Sequence, residues 1–168
     1  MSPAVSRTVA TTASLEAAFA YLGDFRNAED WLPGTHSCVR VSGHGGVGTV
    51  YRSVSTLLGR RLELTHATTE AQHPTRIRLR SHREGFDGEV VFDLVETATG
   101  CEITCTAEVD ASGMPGMGAR LAPSRLPLLG SKAADRLRTQ LDALVEPAPA
   151  GTGHGSRHRD RQSGRHRA

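Results

Sequence analysis

The chain has 168 residues, 38% of them hydrophobic, which suits a single domain with one modest core. No run approaches the roughly 18 apolar residues of a membrane-spanning helix, and the N-terminus lacks a basic stretch followed by an apolar one, so no secretion signal is expected. The net charge of +2 is unevenly placed: from residue 147 onward five arginines face one aspartate, and the residues before them hold 15 basic and 17 acidic groups, which leaves no sign of a nucleic-acid surface on the folded part.

Val5 and Val9 alternate with polar positions and predict a first strand over residues 4–10. Ser14 can cap a helix whose Leu15, Ala18, Phe19 and Leu22 recur at helical spacing, with Gly23 at its end. "NAEDWLPG" predicts a second short helical turn, closed by Pro33 and Gly34. The period then changes to two. Val39 and Val41 begin a strand, residues 48–58 form the next, Gly59 makes a tight turn, and "RRLELTHATTE" returns. "TRIRLRSHR", "GEVVFDLVE" and "CEITCTAEVD" add three more strands with short turns between them, an antiparallel meander. After "SGMPGMG" a final helix carries Ala133, Leu137, Leu141 and Leu144 on one stripe, and Pro123 and Pro127 interrupt the segment before it. The Gly-, Arg- and His-rich tail, residues 147–168, has almost nothing to bury and is expected to be disordered and dispensable for folding. Residues 1–146 form the domain.

Gly43, Gly45 and Gly48 spell G-x-G-x-x-G. A dinucleotide site needs a helix after that pattern, to hold the phosphates. Here "TVYRSVSTLL" follows at strand spacing, so the glycines read as a hairpin loop using positive φ angles. There are three cysteines; Cys101 and Cys105, four apart on one strand face, stand roughly 13 Å from each other, too far for a mutual disulfide. Reduced thiols in a cytoplasmic protein are expected.

"DFRNAEDWLPG", the turn "GVGTVYR", then "LLGRRLELTHATTEAQHPTRI", "GEVVFDLVETATGCEITCTAEVD" and the final amphipathic helix together resemble the SRPBCC superfamily. These are the START and Bet v 1-like helix-grip proteins, with a branch called polyketide cyclase/dehydrase. The resemblance spans roughly residues 3–146 and rests on order and spacing. It implies an α+β helix-grip fold: a seven-stranded antiparallel sheet wrapped around a long C-terminal helix, two short helices after the first strand, and an apolar cavity between sheet and helix. It implies no particular reaction.

Alternation assigns faces. Leu62, Leu64, His66 and Thr68 point inward, as do Ile77, Leu79 and Ser81, then Val90, Phe92 and Leu94, then Ile103, Cys105, Ala107 and Val109. The resemblance adds Tyr51, Ser53, Ser55 and Leu57. The candidate ligand-binding set is Trp31, Tyr51, Ser53, Ser55, Leu64, His66, Thr68, Leu79, Ser81, Phe92, Leu94, Cys105, Met114 and Met117, an apolar lining with sparse polar points. Within it, Leu64, His66, Leu79, Phe92 and Cys105 are expected to line the cavity. Trp31 is placed near its mouth, and Met114 and Met117 at a flexible rim. His66, with Tyr51, is the candidate general acid/base; ligand contact or a structural hydrogen bond are the other readings of His66. No histidine or cysteine grouping has metal-ligand spacing, and no cofactor is expected. The leading function is binding of a hydrophobic small molecule of lipid, polyketide or isoprenoid type. The alternatives are a polyketide cyclase or dehydrase using His66, and an interaction protein acting through the basic tail.

Overall fold

The computed structural model describes residues 4–117 and 125–145. The tail beyond Pro147, Pro123 and the final residue of the assigned domain, Glu146, lie outside the described residues. The elements run β1 (Val5–Thr11), α1 (Leu15–Gly23), α2 (Ala28–Trp31), β2 (Thr35–Ser42), β3 (Val50–Leu57), β4 (Arg60–Gln72), β5 (Arg76–Arg83), β6 (Phe86–Glu96), β7 (Cys101–Asp110) and α3 (Ser131–Asp142). A 3-10 turn at Phe25–Asn27 joins α1 to α2, and another at Pro127–Leu129 precedes α3.

All seven strands form one antiparallel sheet in the order β1-β7-β6-β5-β4-β3-β2. Consecutive strands pair, and the first strand closes against the last. This is the helix-grip α+β fold. Leu58 and Gly59 both have positive φ, 50° and 78°, the backbone a two-residue type I′ hairpin requires between β3 and β4.

The helices lie on one face of the sheet, α1 over β5 and β6, and α3 over β1 and against α2. Ser14 caps α1, its Oγ accepting from the Ala17 N–H at 3.1 Å. On α3 the stripe of Ala133, Leu137 and Leu141 is buried, with Ala134 beside it. The fourth predicted member, Leu144, lies past the helix end and is 39% exposed, because α3 stops at Asp142. The Asp142 carboxylate accepts from Thr11 Oγ (2.6 Å), Thr12 N–H (3.0 Å) and Thr12 Oγ (3.2 Å), tying the C-terminal end of α3 to the β1–α1 link. Those bonds, the Thr11 one foremost, hold its carboxyl below the ordinary carboxylate range.

Alternation holds along the sheet. Leu62, Ile77, Leu79, Phe92, Leu94 and Ile103 are buried, while the opposite face carries ion pairs such as Arg78 with Glu70 and Glu89, both at 3.1 Å. The loop at Gly43–Gly48 links β2 to β3 and no helix follows it. Gly43 has φ 87°, and a Cβ there would stand 2.6 Å from Thr49 Cα, so the glycine serves a tight hairpin approach. Val39 and Val41 do lie on a strand, but on its outer face, 54% and 52% exposed; β2 is an edge strand whose inward position is Cys38. The Cys38 N–H on that edge is taken by the Glu29 carboxylate, which shields it from further strand pairing.

Candidate functional site

One end of the sheet is left uncovered by the described helices. There β3 and β4 contribute Ser55, Leu57, Leu62, Leu64 and His66, β5 contributes Ser81, and β6 and β7 contribute Phe86, Val90, Ala107 and Val109. Phe25, Leu32, Pro33 and Thr35 close one side and Leu126, Pro127 and Leu128 roof it. The cavity encloses about 120 Å³, opens to solvent at its mouth and is lined mostly by apolar side chains. That lining suits an apolar small molecule. Its roof is the 3-10 turn before α3; no α3 residue lines it.

His66 stands at the polar point of this wall. It is 5% exposed, and both ring nitrogens are engaged: Nε2 with Ser53 Oγ at 2.7 Å and Nδ1 with Ser81 Oγ at 2.7 Å. The Phe25 ring packs 4.8 Å from the imidazole. Burial pushes its pKa down from 6.5 to about 4, so the ring is neutral at pH 7. A neutral imidazole offers one N–H and one bare nitrogen, so one serine accepts from it and the other donates to it. Ser53 is buried, whereas Ser81 is half-buried and faces the cavity. With one tautomer, Ser81 donates to Nδ1 and keeps lone pairs for a ligand hydroxyl. With the other, it accepts from Nδ1–H and turns its own O–H toward a ligand carbonyl. Any proton passed between His66 and a ligand through these bonds travels through Ser81.

The remaining predicted residues lie elsewhere. Leu79, Phe92 and Leu94 have inward parity but are at most 2% exposed and sit further along the strands, where the helices close on the sheet; they do not line this cavity. Tyr51 is fully buried, and its hydroxyl leans away to donate to the Gly23 carbonyl at 3.3 Å, so it faces α1 and not the cavity. Desolvation raises its pKa. Ser53 stands behind His66. Trp31 is 2% exposed and packs edge-on to Phe92 with ring centres 6.2 Å apart, so it is core and not mouth. With Phe92 and Cys105 it borders a separate, small void of about 10 Å³ under α3. Met114 and Met117 are buried, not a rim. Four residues of the set, Ser55, Leu64, His66 and Ser81, share the cavity. Phe25 and Leu126–Leu128, outside every periodic segment, complete it.

Thr68 is 3% exposed, and its Oγ has no hydrogen-bond partner among the described residues. Thr68→Val should therefore be neutral or stabilising by up to about 1 kcal/mol in urea denaturation, since it removes an unpaired buried hydroxyl. A loss beyond about 1 kcal/mol would show that the hydroxyl is used.

Among the described residues, no three His, Cys, Asp or Glu side chains converge as metal ligands, and no helix is long and apolar enough to cross a membrane. The three cysteines are free and buried.

A family model described as "Polyketide cyclase / dehydrase and lipid transport" matches residues 2–148. No curated protein matches the chain. Among solved structures, a Thermus thermophilus protein superposes with TM-score 0.70 at 17% identity, over 86% of this chain and all (100%) of that one. A START superfamily protein from Mycobacterium smegmatis gives TM-score 0.70 at 18% identity, over 84% of this chain and 98% of that one. A conserved Geobacillus kaustophilus protein gives 0.65 at 16%, over 83% and 94%. Identities this low establish the shared fold.

Proposed function

Because the chain belongs to the polyketide cyclase/dehydrase and lipid transport family of the SRPBCC superfamily, we propose that it binds an apolar small molecule carrying one oxygen function, which it holds at Ser81. The observation behind this reading is the hydrogen-bond chain from Ser53 through His66 to Ser81, ending in the wall of a mostly apolar cavity. An oxygen buried in such a cavity needs a partner, and Ser81 provides one as donor or acceptor. Support for a cyclase or dehydrase working through His66 and Tyr51 is weaker. Both imidazole nitrogens already hold serines, no carboxylate adjoins the ring, and the Tyr51 hydroxyl is engaged at Gly23.

Three probes of one shape test the proposal: naphthalene, 2-naphthol and 2-acetylnaphthalene, with affinities read from fluorescence. Both oxygenated probes should bind the native chain about 2- to 10-fold more tightly than naphthalene, the net worth of one hydrogen bond. In Ser81→Ala that advantage should vanish while naphthalene binds as before. An advantage that survives in Ser81→Ala, or the absence of binding by all three, would overturn the reading.

A further inference from the structure

Among the described residues, no ionised side chain is hydrogen-bonded or ion-paired to His66. The elements packed around the ring supply Tyr51 and Ser53 from β3, Ser81 from β5 and Phe25 from the turn before α2. The Tyr51 hydroxyl donates to the Gly23 carbonyl. Asp24 and Arg26, on either side of Phe25, pair with each other at 2.6 Å. Glu89 and Glu108 border the cavity from β6 and β7, but their side chains have outward parity, and the Glu89 carboxylate is held by Arg78 at 3.1 Å. The roof, Leu126–Leu128, is apolar. Burial is the sole cause that depresses the imidazole. What the ring lacks is an anion.

The cavity has a place for one. An imidazolium carries two N–H donors and no acceptor. Ser53 and Ser81 would then both accept from the ring, and the Ser81 O–H would be left to donate into the cavity, the partner a carboxylate needs. Opposite Ser81 on β6 stands Gly88, which also lines the cavity. Paired side chains sit about 4.5–5.5 Å apart, so the missing side chain at Gly88 leaves room beside the hydroxyl. An oxygen bound there lies roughly 5 Å from Nδ1, one hydroxyl away, close enough to favour the charged ring. Since the cavity opens to solvent at its mouth, the second carboxylate oxygen need not lose all its water.

We infer that the site takes a carboxylate together with a proton: the carboxylate accepts from Ser81, and His66 becomes the imidazolium that balances its charge. This names the oxygen function left open in the proposed role of Ser81, and it rests on that role. The proton comes from solvent and settles on the ring; no other bond forms or breaks. The coupling is reciprocal, so the carboxylate holds the proton on His66 and acid tightens the carboxylate.

2-Naphthoate has the shape of 2-acetylnaphthalene and tests the inference. Calorimetry at pH 7.5 and 5.0, in two buffers of different ionisation enthalpy, counts the protons taken up. An opposite charge at this range raises the imidazole pKa by about 1–3, from about 4 in the free protein. At pH 5.0 binding should therefore take up about 0.4–0.9 proton per ligand, and affinity should be about 2- to 70-fold higher than at pH 7.5. 2-Acetylnaphthalene should show neither effect, and in His66→Gln both should vanish for 2-naphthoate. Uptake that survives in His66→Gln places the proton on the ligand and overturns the inference. If that variant does not fold, the nitrogen-15 shifts of His66 in the native complex decide: an imidazolium pattern supports it and a neutral one overturns it. If 2-acetylnaphthalene keeps its Ser81-dependent advantage while 2-naphthoate binds without proton uptake, or does not bind, this inference alone falls. If no probe binds, the ligand-binding reading falls with it.

Discussion

Phe92→Ala is expected to lower the stability of the fold by about 3–5 kcal/mol, the cost of emptying a large aromatic site in a packed interior. The ring is fully buried, meets Trp31 edge-on at 6.2 Å and adjoins the void under α3. Truncation would enlarge a space that already exists, and the pleated rows on either side, Ile77 and Cys105, are fixed by their ladders and cannot collapse into it. At about 2–4 °C per kcal/mol for a chain of this size, the midpoint should fall by about 6–20 °C. Phe92→Leu should lose much less. Because Phe92 does not line the larger cavity, 2-naphthol should bind Phe92→Ala nearly as well as the native chain at temperatures far below its midpoint. A loss under about 1 kcal/mol, or a collapse of 2-naphthol affinity in the folded variant, would return Phe92 to the ligand site.

The contrast between Phe92 and His66 shows how far the sequence could be read. Both have inward parity, and parity was legible because the pleat turns side chains to alternate faces every residue. Parity says nothing of where along a strand the helices stop covering the sheet. His66 and Ser81 pair at the uncovered end; Ile77 and Phe92 pair further along, where packing excludes a ligand. The seven strands, the Ser14 cap and the α3 stripe rest on local periodicity and capping chemistry, so they were readable. Phe25, Leu126 and Leu128 lie in short 3-10 turns or beside prolines, where no period marks a face. Asp24, which caps the Phe25–Asn27 turn by accepting from the Arg26 N–H, was the one local signal that could have fixed Phe25. Val39 and Val41 illustrate the converse limit: apolar residues need not face the core on an edge strand. Tyr51 has the predicted parity, but its length carries the hydroxyl to Gly23, beyond anything alternation can resolve.

The buried imidazole should make the fold acid-sensitive in a particular window. His66 titrates near 6.5 when exposed in the unfolded chain and at about 4 in the fold, where burial opposes the charge. Between those values the unfolded chain binds a proton that the folded chain does not, so stability falls as pH drops from about 6.5 to about 4. Two to three pH units at 1.36 kcal/mol each amount to a loss of about 3 kcal/mol, a sizeable part of the 5–15 kcal/mol typical of a domain. Other groups titrate in acid too. Asp24 and Asp142 are held below the carboxylate range by hydrogen bonds from Arg26 and Thr11, and the stability they contribute is withdrawn mainly as pH falls below about 4, beneath that window. His66→Gln separates the contributions, since it keeps a donor and an acceptor for Ser53 and Ser81 but cannot be protonated. Urea denaturation of both proteins at pH 7.5, 5.5 and 4.5 gives the test. At pH 7.5 the variant should be the less stable by about 1–2 kcal/mol, through poorer hydrogen-bond geometry to two buried hydroxyls. That deficit should shrink at pH 5.5 and close or reverse at pH 4.5, because only the native chain carries the proton-linked loss. A deficit that stays constant across the three pH values would mean that His66 is already accessible to protons in the fold, and that the neutral Ser53–His66–Ser81 chain does not persist below pH 6.5.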